Sequence, residues 1–147
     1  HSVERDWIVK HACRTLLKAG DRRTLLLFGL GDPTHLRIEN LALEQASLPI
    51  GETLPFGFEL VVESSEPCKV RLELGVYYRK ARGQLSLKIF QLREATYKPG
   101  RHRLARKHSF QERSTRKHYP GEHQLSIIVN GVEKARTSFQ LEEAPRS

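Results

Sequence analysis

Between positions 101 and 118 the chain carries seven cations and one anion. They are Arg101, Arg103, Arg106, Lys107, Arg113, Arg116 and Lys117 against Glu112, with His102, His108 and His118 among them. Fixed positive charge at this density attracts polyanions, and contact with a phosphate backbone releases condensed counterions. Ser114 and Thr115 add hydroxyls, so residues 113–117 hold the side-chain set that bonds phosphate oxygens. A solvated face is the plain alternative for a charge run, and the imbalance of seven to one favours a polyanion partner. Nearer the start, Lys10, Arg14 and Lys18 stand at i, i+4 spacing with His11 beside them. They form either a second phosphate-contact surface or a solvated helix face. Tyr119, ahead of Pro120-Gly121, fits two roles: a tyrosine corner that fixes the loop, or a ring against a base or sugar.

Other chemistries find less support. His102, His108, His118 and His123 cluster in sequence without metal-ligand spacing, and the cations around them repel a metal ion, so no metal site is expected. Ser109, Ser114 and Thr115 lie near His108 and His118, but no G-x-S-x-G elbow or orienting carboxylate accompanies them. Gly29-Leu30-Gly31 lacks the strand–loop–helix setting of a phosphate cradle. Glu59 and Glu63 alternate with apolar residues and read as solvent-face carboxylates. The sequence therefore predicts no catalytic residue and no cofactor in this chain. Cys13 and Cys68 are too few for a Cys-rich zinc site, and their spacing does not argue for a disulfide. They read as free thiols in a reducing cytoplasm.

These residues need a scaffold, and 147 residues with 38% hydrophobic and 29% charged content are one globular domain or a domain plus an appendage. The longest nearly apolar run, Leu25 to Leu30, is far short of the roughly 20 residues that span a bilayer, so no membrane span is expected. The chain opens at His1, contains no methionine and shows no signal-peptide pattern, which reads as a processed protein or a piece of a longer one. The net charge of +8 is uneven. Residues 1–31 hold six basic and three acidic residues, 32–100 hold nine of each, and 119–147 hold three basic and four acidic.

The spacing predicts a helix over residues 3–19. Ser2 is its N-cap, Glu4 and Asp6 lie in its first turn, and Val3, Trp7, Ile8, Ala12 and Leu16 form its apolar stripe. Gly20 ends it and Asp21 caps a shorter helix over 22–28, before Gly29, Gly31, Asp32 and Pro33 break the chain. Such a hairpin cannot bury Trp7, Ile8, Leu16, Leu17 and the 25–28 run by itself. It reads as the last unit of a helical solenoid, with a dimer interface or packing on the following domain as alternatives. After Pro33 the period becomes 2. Leu54, Phe56, Phe58, Leu60 and Val62 alternate with more polar neighbours, as do Val70, Leu72, Leu74, Val76 and Tyr78. Strands are expected at 35–43, 54–62, 69–78, 84–92, 101–110, 123–129 and 132–141, the last two joined by Asn130-Gly131, a type I′ signal. The expected fold is mainly β: a seven-stranded antiparallel immunoglobulin-like β-sandwich over 34–143, preceded by the helical hairpin at 1–31 and followed by a tail at 144–147.

The segment Trp7-Ile-Val-Lys-His-Ala-Cys-Arg-Thr-Leu-Leu-Lys-Ala-Gly-Asp21 resembles the final repeat of the HEAT-like DNA alkylation repair proteins. Leu85-Ser-Leu-Lys-Ile-Phe-Gln-Leu92, Lys107-His-Ser-Phe110, Ser114-Thr-Arg-Lys-His-Tyr-Pro-Gly121 and Gln124-Leu-Ser-Ile-Ile-Val-Asn-Gly131 resemble the C-terminal extension of their AlkC-type branch. The resemblance implies a bacterial DNA glycosylase that removes small cationic alkylated bases such as N3-methyladenine. It implies double-stranded DNA with alkylated bases as partner, HEAT-like repeats upstream in the same protein, and catalytic carboxylates in those repeats. This chain would then grip DNA through Lys10, His11, Arg14, Lys18, Arg106, Lys107, Arg113, Ser114, Thr115, Arg116, Lys117 and His118. The rival reading is an immunoglobulin-like protein-interaction module whose basic ribbon docks on an acidic partner.

Overall fold

The computed structural model describes residues 29–111 and 117–143. The helical hairpin expected before Gly29 and the tail 144–147 lie outside the described residues. Asp32 organises the start of the sandwich: its carboxylate accepts from the Thr34 N–H and hydroxyl, and Pro33 opens a single 3-10 turn, Pro33–His35. Eight strands follow: β1 Leu36–Leu43, β2 Ser47–Pro49, β3 Thr53–Val62, β4 Cys68–Arg79, β5 Leu85–Tyr97, β6 Gly100–Ser109, β7 Gly121–Val129 and β8 Val132–Glu142. One sheet has the order β1-β3-β6 and the other β2-β8-β7-β4-β5.

The two-residue period explains the layering. Leu54, Phe56, Phe58, Leu60 and Val62 of β3 point toward the second sheet, as Val70, Leu72, Leu74, Val76 and Tyr78 of β4 point toward the first. Together with Leu125, Ile127 and Val129 of β7 and Phe139 and Leu141 of β8 they form one continuous core. Each of the seven expected strands is present, and the expectation is corrected on two points. β2, three residues long, is too short to display a period. It pairs parallel to β8, so among the described residues the sandwich has eight strands and is not wholly antiparallel. β5 runs on to Tyr97 because pairing with β4 passes from Gln91 to Arg93, skipping Leu92. That bulge shifts the phase of the alternation where the sequence reading ended the strand.

Two turns set the geometry near the basic residues. Asn130 and Gly131 have φ of 47° and 84°, the pair of positive values that a type I′ hairpin requires between β7 and β8. The chain changes sheets between β5 and β6 over Lys98-Pro99. There the His102 Nε2–H donates to the Lys98 carbonyl at 2.7 Å while its ring packs on Tyr97 at 5.0 Å. Cys68 is a free, buried thiol against Gly31, where a Cβ would fall on its Sγ, and burial pushes its pKa up. Cys13 lies outside the described residues.

Candidate nucleic-acid interface

The basic ribbon divides into two parts once it is folded. On β6, alternation turns Arg101, Arg103, Ala105 and Lys107 to the outside of the three-stranded sheet. Arg101 meets the carboxylates of Glu39, at 2.8 Å, and Glu59, while Arg103 stands 3.9 Å from Glu59 with its side chain 86% exposed. A β-bulge in β1 places Asn40 at φ 55°, from where its amide donates to Glu59 at 3.0 Å. The Arg101 guanidinium and the Asn40 amide hold the Glu59 carboxyl below its usual range. The charge of Arg101 is thus already balanced within the sheet. Arg106 is half-buried, donating to the Ala105 carbonyl at 2.8 Å, and Lys107 is exposed.

The loop after β6 is anchored at both ends in one aromatic cluster. Phe110 is fully buried, its N–H donates to the Glu52 carbonyl at 2.9 Å, and its own carbonyl accepts from Gly51 N–H at 3.0 Å. Beyond the loop, the His118 ring stacks on Tyr78 at 5.5 Å with an interplanar angle of 19° and meets Phe110 at 5.6 Å. Tyr78 bonds His108 Nε2 through its hydroxyl at 2.7 Å, and His123 and Phe139 close the cluster around Phe110. His118 is only 3% exposed, its ring enclosed by the cluster. Its ring lies between Tyr78 and Phe110, next in the chain to Lys117. His123 donates from Nδ1 to the Gly121 carbonyl at 3.2 Å, and burial pushes its pKa below the ordinary value.

Lys117, thrown outward by this anchor, faces the turn between β4 and β5. That turn is closed by Lys80 N–H to the Gln84 carbonyl at 2.8 Å and Gly83 N–H to the Lys80 carbonyl at 2.9 Å, with Gly83 at φ 90°. Between the two segments lies an open groove of about 790 Å³ lined by Lys80, Ala81, Arg82, Gln84, Lys88, Lys117 and Tyr119. Among the described residues that line it, Lys80, Arg82, Lys88 and Lys117 are cations and none is a carboxylate. Arg79 runs beneath, its side chain against both Gly83 and Gly121. Lys117 Nζ lies 5.8 Å from the centre of the Tyr119 ring, at the outer limit of a cation–π contact. Among the described residues nothing accepts from the Tyr119 hydroxyl, as a tyrosine corner would require. Lys80, Arg82 and Lys88 were missed because residues 32–100 are neutral in sum. The local run Arg79-Lys80-Ala81-Arg82-Gly83 at a turn was the signal that could have found them.

Of the predicted contacts, the structure describes Arg106, Lys107, Lys117 and His118, and only Lys117 lines the groove. Lys10, His11, Arg14, Lys18, Arg113, Ser114, Thr115 and Arg116 lie outside the described residues. Among the described residues no three His, Cys, Asp or Glu side chains group as metal ligands, and no helix is long and apolar enough to cross a membrane.

The chain is similar to known proteins. The family described as "Uncharacterised protein YhaZ, C-terminal Ig-like domain" matches residues 37–143. The uncharacterized protein YhaZ of Bacillus subtilis (strain 168) is 40% identical over 137 residues, covering 92% of this chain and 38% of that protein. The Pseudomonas fluorescens alkylpurine DNA glycosylase AlkC, solved bound to DNA containing an abasic site analog, superposes with a TM-score of 0.80. It is 31% identical, over 93% of this chain and 38% of that chain. A β-glucosidase from Listeria innocua in complex with glucose reaches a TM-score of 0.61 at 11% identity over 75% of this chain and 16% of that one, a likeness of fold alone. The chain thus spans 38% of the length of both YhaZ and AlkC. With eight strands in two packed sheets and a family match from Arg37 to Glu143, this chain belongs to the family of the YhaZ C-terminal immunoglobulin-like domain.

Proposed function

We propose that this chain is the DNA-gripping C-terminal part of an AlkC-like DNA glycosylase that removes small cationic alkylated bases, of the N3-methyladenine type, from duplex DNA in the bacterial cytoplasm. In this reading residues 34–143 are the immunoglobulin-like domain, residues 1–31 are the last HEAT-like repeat, and the catalytic carboxylates belong to repeats further upstream. The observation that carries it is the groove whose described lining brings Lys80, Arg82, Lys88 and Lys117 together beside Tyr119. The likeness to a DNA-bound alkylpurine glycosylase at 31% identity supports duplex DNA as the polyanion.

The chemistry divides accordingly. A cationic lesion has a weakened glycosidic bond because the base departs neutral, so the enzyme needs a carboxylate at the sugar and a fixed hold on the duplex. Ammonium and guanidinium groups supply that hold at the phosphates, and the Tyr119 ring offers an apolar face to a sugar or unstacked base. If each of the four groove cations meets one phosphate, log K falls against log salt with a slope of about −3 to −4, at ~0.9 per phosphate. Binding by this part alone is then weak and indifferent to sequence, with Kd on the order of 10⁻⁴ to 10⁻⁶ M.

The test is fluorescence anisotropy of a labelled duplex titrated with the chain at several salt concentrations, followed by base-excision assays on the parent protein. Steeply salt-dependent binding supports the reading. A folded chain that ignores duplex DNA at low salt, and instead captures an acidic peptide, would replace it with the protein-interaction module.

A further inference from the structure

The three-stranded sheet ends in β6, which pairs with β3 from end to end, and no described strand pairs with its other side. Two contacts fix which backbone groups that open edge presents. The Ala105 carbonyl accepts from the Arg106 guanidinium at 2.8 Å, away from β3. Phe110, an odd number of residues further on, turns its N–H to the β3 side, where it meets the Glu52 carbonyl at 2.9 Å. In an antiparallel pair the N–H and C=O of one residue face the same side, and the side alternates along the strand. Arg101, Arg103, Ala105 and Lys107 therefore direct their backbone groups to the open edge.

The side chains of the same residues stand on the outer face of the sheet, which is hollow around Ala105. Ala42, Pro55, Gly57 and Ala105 line an open depression there of about 410 Å³, with Lys107 at its rim. Gly57 brings no side chain to that face, and Ala105 is exposed. Arg101 is engaged by Glu39 and Glu59, so the cations turned to a partner are Arg103 and Lys107, both exposed. Each stands about 6.8 Å along the strand from Ala105. Charge on an edge strand resists pairing with a like edge. A second β6 laid antiparallel about Ala105 sets Arg103 opposite Lys107, which excludes a second copy through this edge. A strand with carboxylates at those two positions meets opposite charge instead.

We propose that the open edge of β6 takes up an extended acidic segment of a protein partner as a further antiparallel strand, with the pattern acidic-x-apolar-x-acidic. The carboxylates of the segment pair with Lys107 and Arg103, and the apolar side chain between them lies over Ala105 toward Gly57. Its backbone bonds the outward groups of Arg103, Ala105 and Lys107, displacing Arg106 from the Ala105 carbonyl. A polynucleotide offers the charge but no backbone complement to this edge. The depression shares no lining residue with the groove at Lys80, Arg82, Lys88 and Lys117, so strand uptake does not depend on whether that groove grips DNA.

The probe is a peptide containing Glu-Thr-Phe-Thr-Glu, titrated into the isotope-labelled full chain and followed by backbone amide NMR. Its isomer Glu-Glu-Phe-Thr-Thr has the same composition and charge without the alternation. Shifts are expected to centre on Arg103, Ala105 and Lys107, and the isomer is expected to bind about fivefold more weakly. Ala105→Pro removes the outward N–H without touching a bond to β3, and is expected to weaken the peptide by a similar factor. In Lys107→Glu the preference is expected to pass to Lys-Thr-Phe-Thr-Glu, a readout that does not rely on the proline variant folding. Equal affinity for the two isomers, shifts centred elsewhere, or an unaltered preference in a folded Lys107→Glu chain overturns strand uptake. So does displacement of the peptide from Arg103 and Lys107 by duplex DNA, which assigns those cations to DNA. The triple variant Lys80→Ala, Arg82→Ala, Lys117→Ala is expected to leave peptide binding unchanged, and a loss there moves the peptide to the groove and overturns it too. Absent duplex binding with peptide uptake intact sinks the DNA reading and leaves the edge site standing.

Discussion

The side-chain amide of Asn130, at the tip of the β7–β8 hairpin, donates to the backbone carbonyl of Gly31 at 2.8 Å across 99 positions of sequence. The same side chain accepts from Arg71 N–H at 2.7 Å and donates to the Lys69 carbonyl at 3.3 Å. One buried residue thus closes a tight turn and ties the entry of the sandwich to β4. Replacing it with alanine strands buried backbone groups and puts a side chain without local hydrogen bonding at positive φ. Asn130→Ala is expected to cost about 3 kcal/mol, read as a lowered urea midpoint with an unchanged m-value.

Charge in the groove separates from charge in the sheet. The triple variant Lys80→Ala, Arg82→Ala, Lys117→Ala is expected to flatten the salt slope of duplex binding by about 2 to 3, with no change in thermal midpoint beyond a degree or two. Arg101→Ala is expected to do the reverse. It leaves Glu39 and Glu59 facing each other, lowers the urea midpoint at neutral pH, and leaves the salt slope unaltered, because that cation is already engaged.

Packing under the loop is open to a test that removes no charge. Phe110 is fully buried against His118, His123 and Phe139, and both ends of the basic loop depend on it. Phe110→Ala is expected to destabilise the chain by about 3–5 kcal/mol. The milder Phe110→Leu is expected to keep the fold and weaken duplex binding. Full affinity in a folded Phe110→Leu chain would detach the aromatic cluster from the interface.

Burial of His123 predicts a pH dependence with a definite sign. Its folded pKa lies below the ordinary value of 6.5, so on acidification the unfolded chain takes up a proton that the folded chain refuses. The stability this neutral ring supplies is present above about pH 6.5 and is lost as the pH falls below it, by at most ~1.4 kcal/mol per pH unit for one proton. Urea midpoints at pH 8, 6 and 5 are expected to fall more steeply in the wild-type chain than in His123→Gln.

Where the sequence reading succeeded, the determinant was local. The alternation of Leu54 to Val62 and of Val70 to Tyr78 is a property of the extended backbone, which sends successive side chains to opposite faces whatever lies across from them. Asn130-Gly131 specifies its turn because few other residues accept two consecutive positive φ values. β2 escaped because three residues carry no period, and the end of β5 because a bulge on one strand is visible only against its partner.

The candidate site was half legible for the same reason. The sequence alone located the concentration of cations at 101–118. Net charge over a segment, however, does not say which charges meet. Arg101 is balanced by Glu59, 42 positions away; His118 is drawn inside by Tyr78; and Lys80, Arg82 and Lys88, from a stretch neutral in sum, face Lys117 across a groove. Those outcomes follow from strand register and sheet order, which are settled by packing between distant segments. Sequence by itself determined seven of the eight described strands, their faces and the sign of the surface; only the tertiary structure decided which of the described cations stand together.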